Sequence, residues 1–225
     1  MSASDNLAQI YYQRSQETLR QWREPAIANR HDGFYPENLK AIAAGIQPVL
    51  TSPISTLLTD LQQQVLDDPL ADIMHPDHFH LTFLAITPAR YDRQHQPEGV
   101  EELQDIAVAH GVGSELTVRE LRLVALPNQL LIAGIPDAAA LAQRAALWQA
   151  LRQSAWADAL RERYPGSHQP PPFWHSTLLR YDAPLLPQSL QAFFKARINQ
   201  RYGEITGRIG LRLVTYNWSK ARPLA

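Results

Sequence analysis

The sequence contains no cysteine, so the chain has no disulfide, no thiolate metal ligand and no cysteine nucleophile. It also has no stretch near the roughly 18 consecutive apolar residues that predict a membrane span. Residues 1–16 lack the basic start and the apolar run of a secretory signal. We therefore expect a soluble cytoplasmic protein with no membrane contact.

Excess charge of either sign is also absent, because 21 Lys and Arg residues nearly balance 22 Asp and Glu residues. Such a chain lacks the broad positive field that drives tight binding to duplex DNA, although a local basic patch is enough for a small anion. With 225 residues, 45% of them hydrophobic, the chain can bury a sizeable core. The expected partner is therefore a small or short anionic ligand; the oligomeric state is left open.

The beginning of the chain differs from the rest. Residues 5–23 carry apolar side chains at helical spacing, and Pro25, Gly33 and Pro36 then interrupt any regular pattern. We predict an N-terminal helix and linker over residues 1–40, followed by a single bilobal domain over 41–225.

Strand and helix patterns alternate in the second part. The predicted strands are Gly45–Leu50, Phe79–Ile86, Leu116–Leu126, Leu130–Ile135, Phe173–Tyr181 and Ile209–Trp218; the predicted helices are 51–65, 98–110, 137–164 and 187–202. Two of these blocks look alike, each with a histidine-bearing strand followed by a helix. We expect an α+β fold of duplicated β-α blocks with a central antiparallel-rich sheet, pseudo-twofold symmetry and an N-terminal helical extension.

The two blocks share a short motif, His-x-Thr, at His80 and Thr82 and again at His175 and Thr177. Side chains two positions apart in a strand point to the same face, so each motif presents an imidazole and a hydroxyl together. We expect the two motifs on neighbouring central strands, facing one cleft. One imidazole could then take a proton from an attacking oxygen, the other could protonate a leaving oxygen, and the hydroxyls could bind phosphate oxygens. The sequence does not distinguish the acid from the base.

The segments HLTFLAI at 80–86 and HSTLLR at 175–180 resemble the two-histidine (2H) phosphoesterase superfamily, which includes bacterial 2′-5′ RNA ligase-like proteins and cyclic nucleotide phosphodiesterases. The resemblance implies that His80 and His175 are catalytic and that Thr82 and Thr177 bind phosphate. It also implies a metal-independent phosphodiesterase without a cofactor, acting on a cyclic nucleotide or a short RNA end, such as a 2′,3′-cyclic phosphate or a 2′-5′ linkage.

Four further residues are candidates for substrate binding: Arg180, His78, Tyr35 and Trp218. Arg180 matches an arginine that several members of the superfamily carry five residues after the second histidine. Strict alternation, however, would place Arg180 on the strand face opposite His175. Tyr35 and Trp218 are aromatic residues that could stack on a base, and His78 is predicted at the edge of the site.

Two other functions are consistent with the sequence. The cluster His75, Asp77, His78 and His80 has ligands that suit a transition metal, so a metal-dependent hydrolase is one alternative, although the order HPDHFH matches no catalytic zinc motif. The other alternative is a nucleotide-binding module on the same fold that does not turn its ligand over.

Overall fold

The computed structural model describes residues 3–24 and 38–224, with side chains from residue 5 onward. Within these ranges the helices are α1 Ala3–Gln21, α2 Ser52–Gln64, α3 Val100–Ala109, α4 Ala138–Arg152, α5 Ala157–Arg163 and α6 Gln188–Arg197. The strands are β1 Ala41–Ile46, β2 Ala71–Ile73, β3 Leu81–Ala85, β4 Glu115–Leu126, β5 Gln129–Pro136, β6 His175–Tyr181, β7 Ile205–Arg208, β8 Gly210–Val214 and β9 Ala221–Pro223. No helix in the described part of the chain is long and apolar enough to cross a membrane.

The strands form two sheets in which every described pair is antiparallel. One sheet has four strands in the order β3-β1-β8-β9, and the other has five in the order β2-β6-β5-β4-β7. The predicted α+β class with antiparallel sheets is confirmed. The expectation that the two His-x-Thr strands are neighbours in one sheet is wrong, because β3 and β6 are in different sheets that contact each other.

The hairpin of β4 and β5 is confirmed close to its predicted bounds. Leu126 pairs with Gln129 across the turn at Pro127 and Asn128, and almost every residue of β5 is buried. Such burial fits a strand that lies between β6 and β4 and contacts other residues on both faces.

Helix α1 confirms the helix predicted at the N-terminus and packs against β4 and β5. The Tyr11 hydroxyl donates a hydrogen bond to the Gly134 carbonyl at 2.9 Å, and the Trp22 indole N–H donates to the Pro127 carbonyl at 2.9 Å. The buried face of α1 therefore belongs to the same hydrophobic core as the sheets. The domain boundary at residue 40 stays a prediction, since residues 25–37 are outside the described part.

Four predicted elements differ from the structure, one of them the helix over 187–202, which ends at Arg197. The first strand is Ala41–Ile46 rather than Gly45–Leu50, and Val49 is 91% exposed, because the apolar residues before Gly45 pair with β3 and β8 instead. The long helix over 137–164 is two helices, with the Ser154 hydroxyl accepting the Trp156 amide between them. The last predicted strand ends at Val214, and residues 216–218 form a helical turn.

Candidate active site

A cavity of about 250 Å³ is lined by residues of β1 and β3 from the four-stranded sheet and of β6 from the five-stranded sheet. Both His-x-Thr motifs line it, as does Arg180. Its remaining wall comes from the turn at residues 214–218, from Arg144 on α4, and from residues 163–173 before β6. The folding of the two sheets therefore brings together residues that are 95 positions apart (175 minus 80) in the sequence.

His80 lies immediately before β3 and is held on two sides. Its Nδ1 is 2.9 Å from the carbonyl oxygen of His78, and its ring is stacked on the Trp218 indole. Because a carbonyl can only accept, Nδ1 carries the proton and the neutral ring has its lone pair on Nε2. In this tautomer His80 is prepared to accept a proton at Nε2.

His175 begins β6 and has a different environment. Its ring meets Phe173 edge-on at 5.8 Å between centroids, and its buried Nδ1 has no hydrogen-bond partner among the described residues. A buried N–H without an acceptor is the rarer and costlier of the two unsatisfied states. The neutral ring is therefore expected to carry its proton on Nε2 and to present a donor where His80 presents an acceptor.

Burial lowers the pKa of both histidines below the ordinary value of 6.5. For His80 the pKa falls to about 3: burial is the main cause, the positive charge of Arg180 and the nearby His175 also lower it, and the hydrogen bond to His78 opposes them. For His175 the pKa falls to about 4 through burial, with Arg180 and Arg144 adding to the effect. An anion bound between the two rings would raise both pKa values.

Each His-x-Thr strand contains a bulge at the same position, directly after the threonine. Thr82 pairs with Gly45 and Leu84 with Ala44, so Phe83 has no partner in β1. Likewise Thr177 pairs with Leu131 and Leu179 with Leu130, so Leu178 has no partner in β5. The matching bulges favour the predicted duplication, which the sheet pairing alone does not establish.

The bulge at Leu178 explains where Arg180 points. Arg180 pairs with Gln129, and Gln129 is on the same face of β5 as the partners of His175 and Thr177. The extra residue thus shifts the alternation by one position. The interpretation that alternation directs Arg180 away from the site is therefore wrong: Arg180 lines the cavity with both motifs.

The hydroxyls of Thr82 and Thr177 line the cavity, and neither makes a hydrogen bond within the described residues. Thr177 is 6% exposed, so its hydroxyl is largely removed from bulk water. A nearly buried hydroxyl without a protein partner is available to a ligand that accepts hydrogen bonds.

The other predicted residues have different positions. Trp218 lines the cavity through its stacking on His80, whereas His78 does not line it and contributes its backbone carbonyl. Tyr35 lies outside the described residues. The side chains of His75 and Asp77 are exposed, and across residues 3–24 and 38–224 no three His, Cys, Asp or Glu side chains converge where they could hold a metal.

Three cavity-wall or adjoining residues were not predicted from the sequence: Arg144, Asn217 and Asp72. The Arg144 guanidinium lies 3.8 Å from the Trp174 ring and donates hydrogen bonds to the carbonyls of Phe173 and Pro171. Arg144 therefore fixes the chain that leads into His175. The sequence offers no clear signal for this role, because Arg144 follows Gln143 in an Ala- and Leu-rich helix, and its burial, at 5% exposed, is seen only in the structure.

Comparison with solved structures places this architecture among known folds. TT0787 of Thermus thermophilus superposes with a TM-score of 0.50 at 18% identity, covering 76% of this chain and 87% of that one. E. coli LigT in its apo form gives 0.46 at 15% identity, with 84% and 96% covered, and LigT complexed with 3′-AMP gives 0.45 at 15%, with 82% and 93% covered. The similarity to TT0787 shows a shared fold. No family model and no curated protein sequence matches the chain.

Proposed function

We propose that this protein is a metal-independent phosphodiesterase of the two-histidine type. His80 and His175 act as the acid–base pair, and Thr82, Thr177 and Arg180 bind the phosphate oxygens. The observation that supports this most directly is the convergence of both His-x-Thr motifs and one arginine on a single cavity. Two imidazoles, two hydroxyls and a guanidinium supply every group that displacement at phosphorus needs from the protein.

The proposed mechanism begins with His80, whose Nε2 lone pair removes a proton from the attacking oxygen. His175, which is protonated on both ring nitrogens while the phosphodiester is bound, transfers its Nε2 proton to the leaving oxygen and becomes neutral, while Arg180 stabilises the negative charge on the non-bridging phosphate oxygens. In the reverse direction the two histidines exchange roles. The bound phosphodiester raises the pKa of His175, so that the ring can hold the second proton at neutral pH.

The size and charge of the cavity favour a small substrate. About 250 Å³ lies just below the usual range for small-ligand pockets and suits a ribose with its phosphate better than a folded RNA. The balanced net charge of the chain also favours a short ligand over long RNA. We therefore propose a 2′,3′-cyclic nucleotide or a short RNA end with a 2′-5′ linkage as substrate.

The test is turnover of a 2′,3′-cyclic mononucleotide and of a 2′-5′-linked dinucleotide by protein treated with EDTA. We expect turnover to persist, and His80→Ala or His175→Ala to lower kcat/KM by at least about 100-fold, the low end for one positioned acid or base. The double variant should lose much less than the product of the two effects, because the histidines act as a unit.

His110→Ala is the matched control, since His110 ends α3 and does not line the cavity. Binding of both nucleotides without any turnover would favour the non-catalytic module. Turnover that disappears with EDTA and returns with zinc or manganese would favour the metal-dependent hydrolase.

A further inference from the structure

Asp72 and Arg180 face each other directly across the β2–β6 ladder but do not form an ion pair. Opposite charges in such positions normally attract at short range. Here the Arg180 guanidinium instead donates a hydrogen bond to the Asn217 side-chain oxygen and lies 4.8 Å from the centre of the Tyr216 ring. Among the described residues, no carboxylate is paired with Arg180.

The Asp72 carboxylate is used by the two residues that separate it from Arg180. It accepts a hydrogen bond from the Tyr216 hydroxyl at 2.6 Å and from the Asn217 amide nitrogen at 3.0 Å. Because a carboxylate only accepts and a guanidinium only donates, the Asn217 amide has one orientation that satisfies both. Asp72 thereby directs the amide oxygen of Asn217 toward Arg180.

The backbone at this position is in an unfavourable conformation. Asn217 has φ 52° and Trp218 has φ 54°, both in the left-handed region; asparagine tolerates this region, but for Trp218 it costs about 1 kcal/mol or more. The turn is closed by the Thr215 hydroxyl, which accepts the Lys220 amide at 2.8 Å. Strain that is maintained in this way at a cavity wall indicates that the turn has a positioning role.

We propose that Asp72 is a positioning residue, which orients Asn217 and Tyr216 so that the Arg180 guanidinium is fixed at the cavity wall and keeps its positive charge for a phosphate group. This proposal rests on the proposed function, because the anion that Arg180 would bind is the phosphate group of the substrate. A direct ion pair with Asp72 would hold Arg180 equally well but would offset its charge. A neutral amide oxygen fixes the side chain and leaves the charge available.

The field of Arg180 at the histidines agrees with this arrangement. Its positive charge contributes to lowering the pKa of both His80 and His175, as a guanidinium without a carboxylate partner would. The positive charge of Arg180 disfavours the imidazolium form of both histidines in the free protein, and it also attracts the phosphate anion. Binding of that anion then favours the imidazolium form again.

The decisive variant is the double substitution Asp72→Asn with Asn217→Asp. It preserves the net charge, the size of both side chains and a hydrogen bond between positions 72 and 217, but it moves the carboxylate into contact with Arg180. We expect the dissociation constant for inorganic phosphate, measured by titration calorimetry, to rise by about 10-fold, which corresponds to about 1.4 kcal/mol. An unchanged constant would overturn the proposal.

A second readout separates this role from a structural one. In NMR titrations of the protein without phosphate, the pKa values of His80 and His175 should rise in the double variant, because the charge of Arg180 is offset by its new partner. A variant that only loosened the fold would also raise both pKa values, by exposing the two rings, but it would lower the melting temperature as well. A rise in both pKa values at an unchanged melting temperature therefore supports the proposal, and a rise with a lower melting temperature contradicts it. If the pKa values stay the same while the melting temperature falls, Asp72 is structural and the proposal is wrong.

Asp72→Asn alone provides a further test if the double variant does not fold. The weaker acceptor should orient Asn217 less firmly and weaken phosphate binding, by a factor of about 3 or more. Asp60→Asn is the matched control, because Asp60 pairs with Arg197 at 3.0 Å away from the cavity. Phosphate binding that depends on Asp72 in a protein without cyclic nucleotide turnover would support the positioning role and contradict the proposed function.

Discussion

The Trp218 indole lies parallel to the His80 imidazole, with 8° between the ring planes and 4.6 Å between their centroids. Gly45 in β1 makes this possible, since a Cβ at that position would come within 2.9 Å of the indole. An aromatic face in contact with an imidazole stabilises its protonated form and limits its rotation. Trp218 therefore orients the His80 ring and stabilises its protonated form, which partly offsets the effect of burial in disfavouring that form.

We predict that Trp218→Leu lowers kcat by about 10-fold, since an aliphatic side chain fills space but lacks the aromatic face worth roughly 1 kcal/mol or more. Trp218→Phe, which keeps a smaller ring, should retain most of the activity. Steady-state kinetics on a cyclic nucleotide measures both. Trp156→Phe is the control, as Trp156 is buried away from the cavity. Equal activity of the Leu and Phe variants would contradict the role of the stack.

Valine at Thr82 or Thr177 should reduce activity without reducing stability. Each change removes one hydroxyl and keeps the shape, so we expect a loss on the order of 10-fold from one hydrogen bond made in the transition state. The melting temperature should be unchanged or higher, because neither hydroxyl has a partner in the described protein. Kinetics and thermal melting together check this.

Thr18→Val provides the opposite case. The Thr18 hydroxyl donates to the Ala125 carbonyl at 2.9 Å and is 1% exposed, so its loss leaves a buried acceptor unsatisfied. We expect a cost of about 1–3 kcal/mol in the free energy of unfolding and no specific loss of phosphate affinity. A pattern in which Thr82→Val destabilises as much as Thr18→Val would mean that its hydroxyl is structural.

The features that could be predicted from the sequence are those that depend on near neighbours. The β4–β5 hairpin follows from two apolar runs around Pro127 and Asn128, and the His-x-Thr pattern is contained within three residues. The histidine and threonine candidates could therefore be named before the cavity was seen.

The features that were missed depend on pairing between distant segments. The bulge that directs Arg180 into the cavity depends on the register of β6 against β5. The alternation of side chains along one strand does not reveal that register. Asp72 is separated from its partner Tyr216 by 144 positions, and nothing in its surroundings distinguishes it from a surface aspartate. The turn at Asn217 interrupts an apolar run that otherwise reads as a continuing strand.

The free energy of unfolding should fall as the pH is lowered, and the fall should be larger than exposed histidines alone would cause. The folded-state pKa of His80, about 3, lies below the ordinary 6.5, so the unfolded chain binds more protons between those values and the folded state loses stability as pH falls through 6.5. Between pH 6.5 and 5 the contribution is at most about 2 kcal/mol, at about 1.4 kcal/mol per pH unit.

Urea unfolding at pH 8 and pH 5 measures this effect as a difference between variants. His80→Gln should show a smaller loss of stability between the two pH values than the parent protein, whatever its absolute stability. His168→Gln, at an exposed position, is the control and should lose as much as the parent. An equal loss in His80→Gln and the parent would mean that His80 titrates near its ordinary pKa.

The pH dependence of the rate should differ between the free and the substrate-bound protein. Catalysis needs one neutral and one protonated ring, so both kcat/KM and kcat should follow bells whose limbs belong to the coupled pair. Because the pKa values of His80 and His175 are about 3 and about 4 in the free protein, the maximum of kcat/KM should lie below pH 6.5. The negative charge of the bound phosphodiester raises both pKa values, so the maximum of kcat should lie at higher pH. Rates measured between pH 2.5 and pH 9 at low and at saturating substrate check the order of the two maxima. In Arg180→Gln the kcat/KM maximum should move upward, since a positive charge that lowers both pKa values has been removed; a maximum that stays in place would show that Arg180 does not act on the histidines.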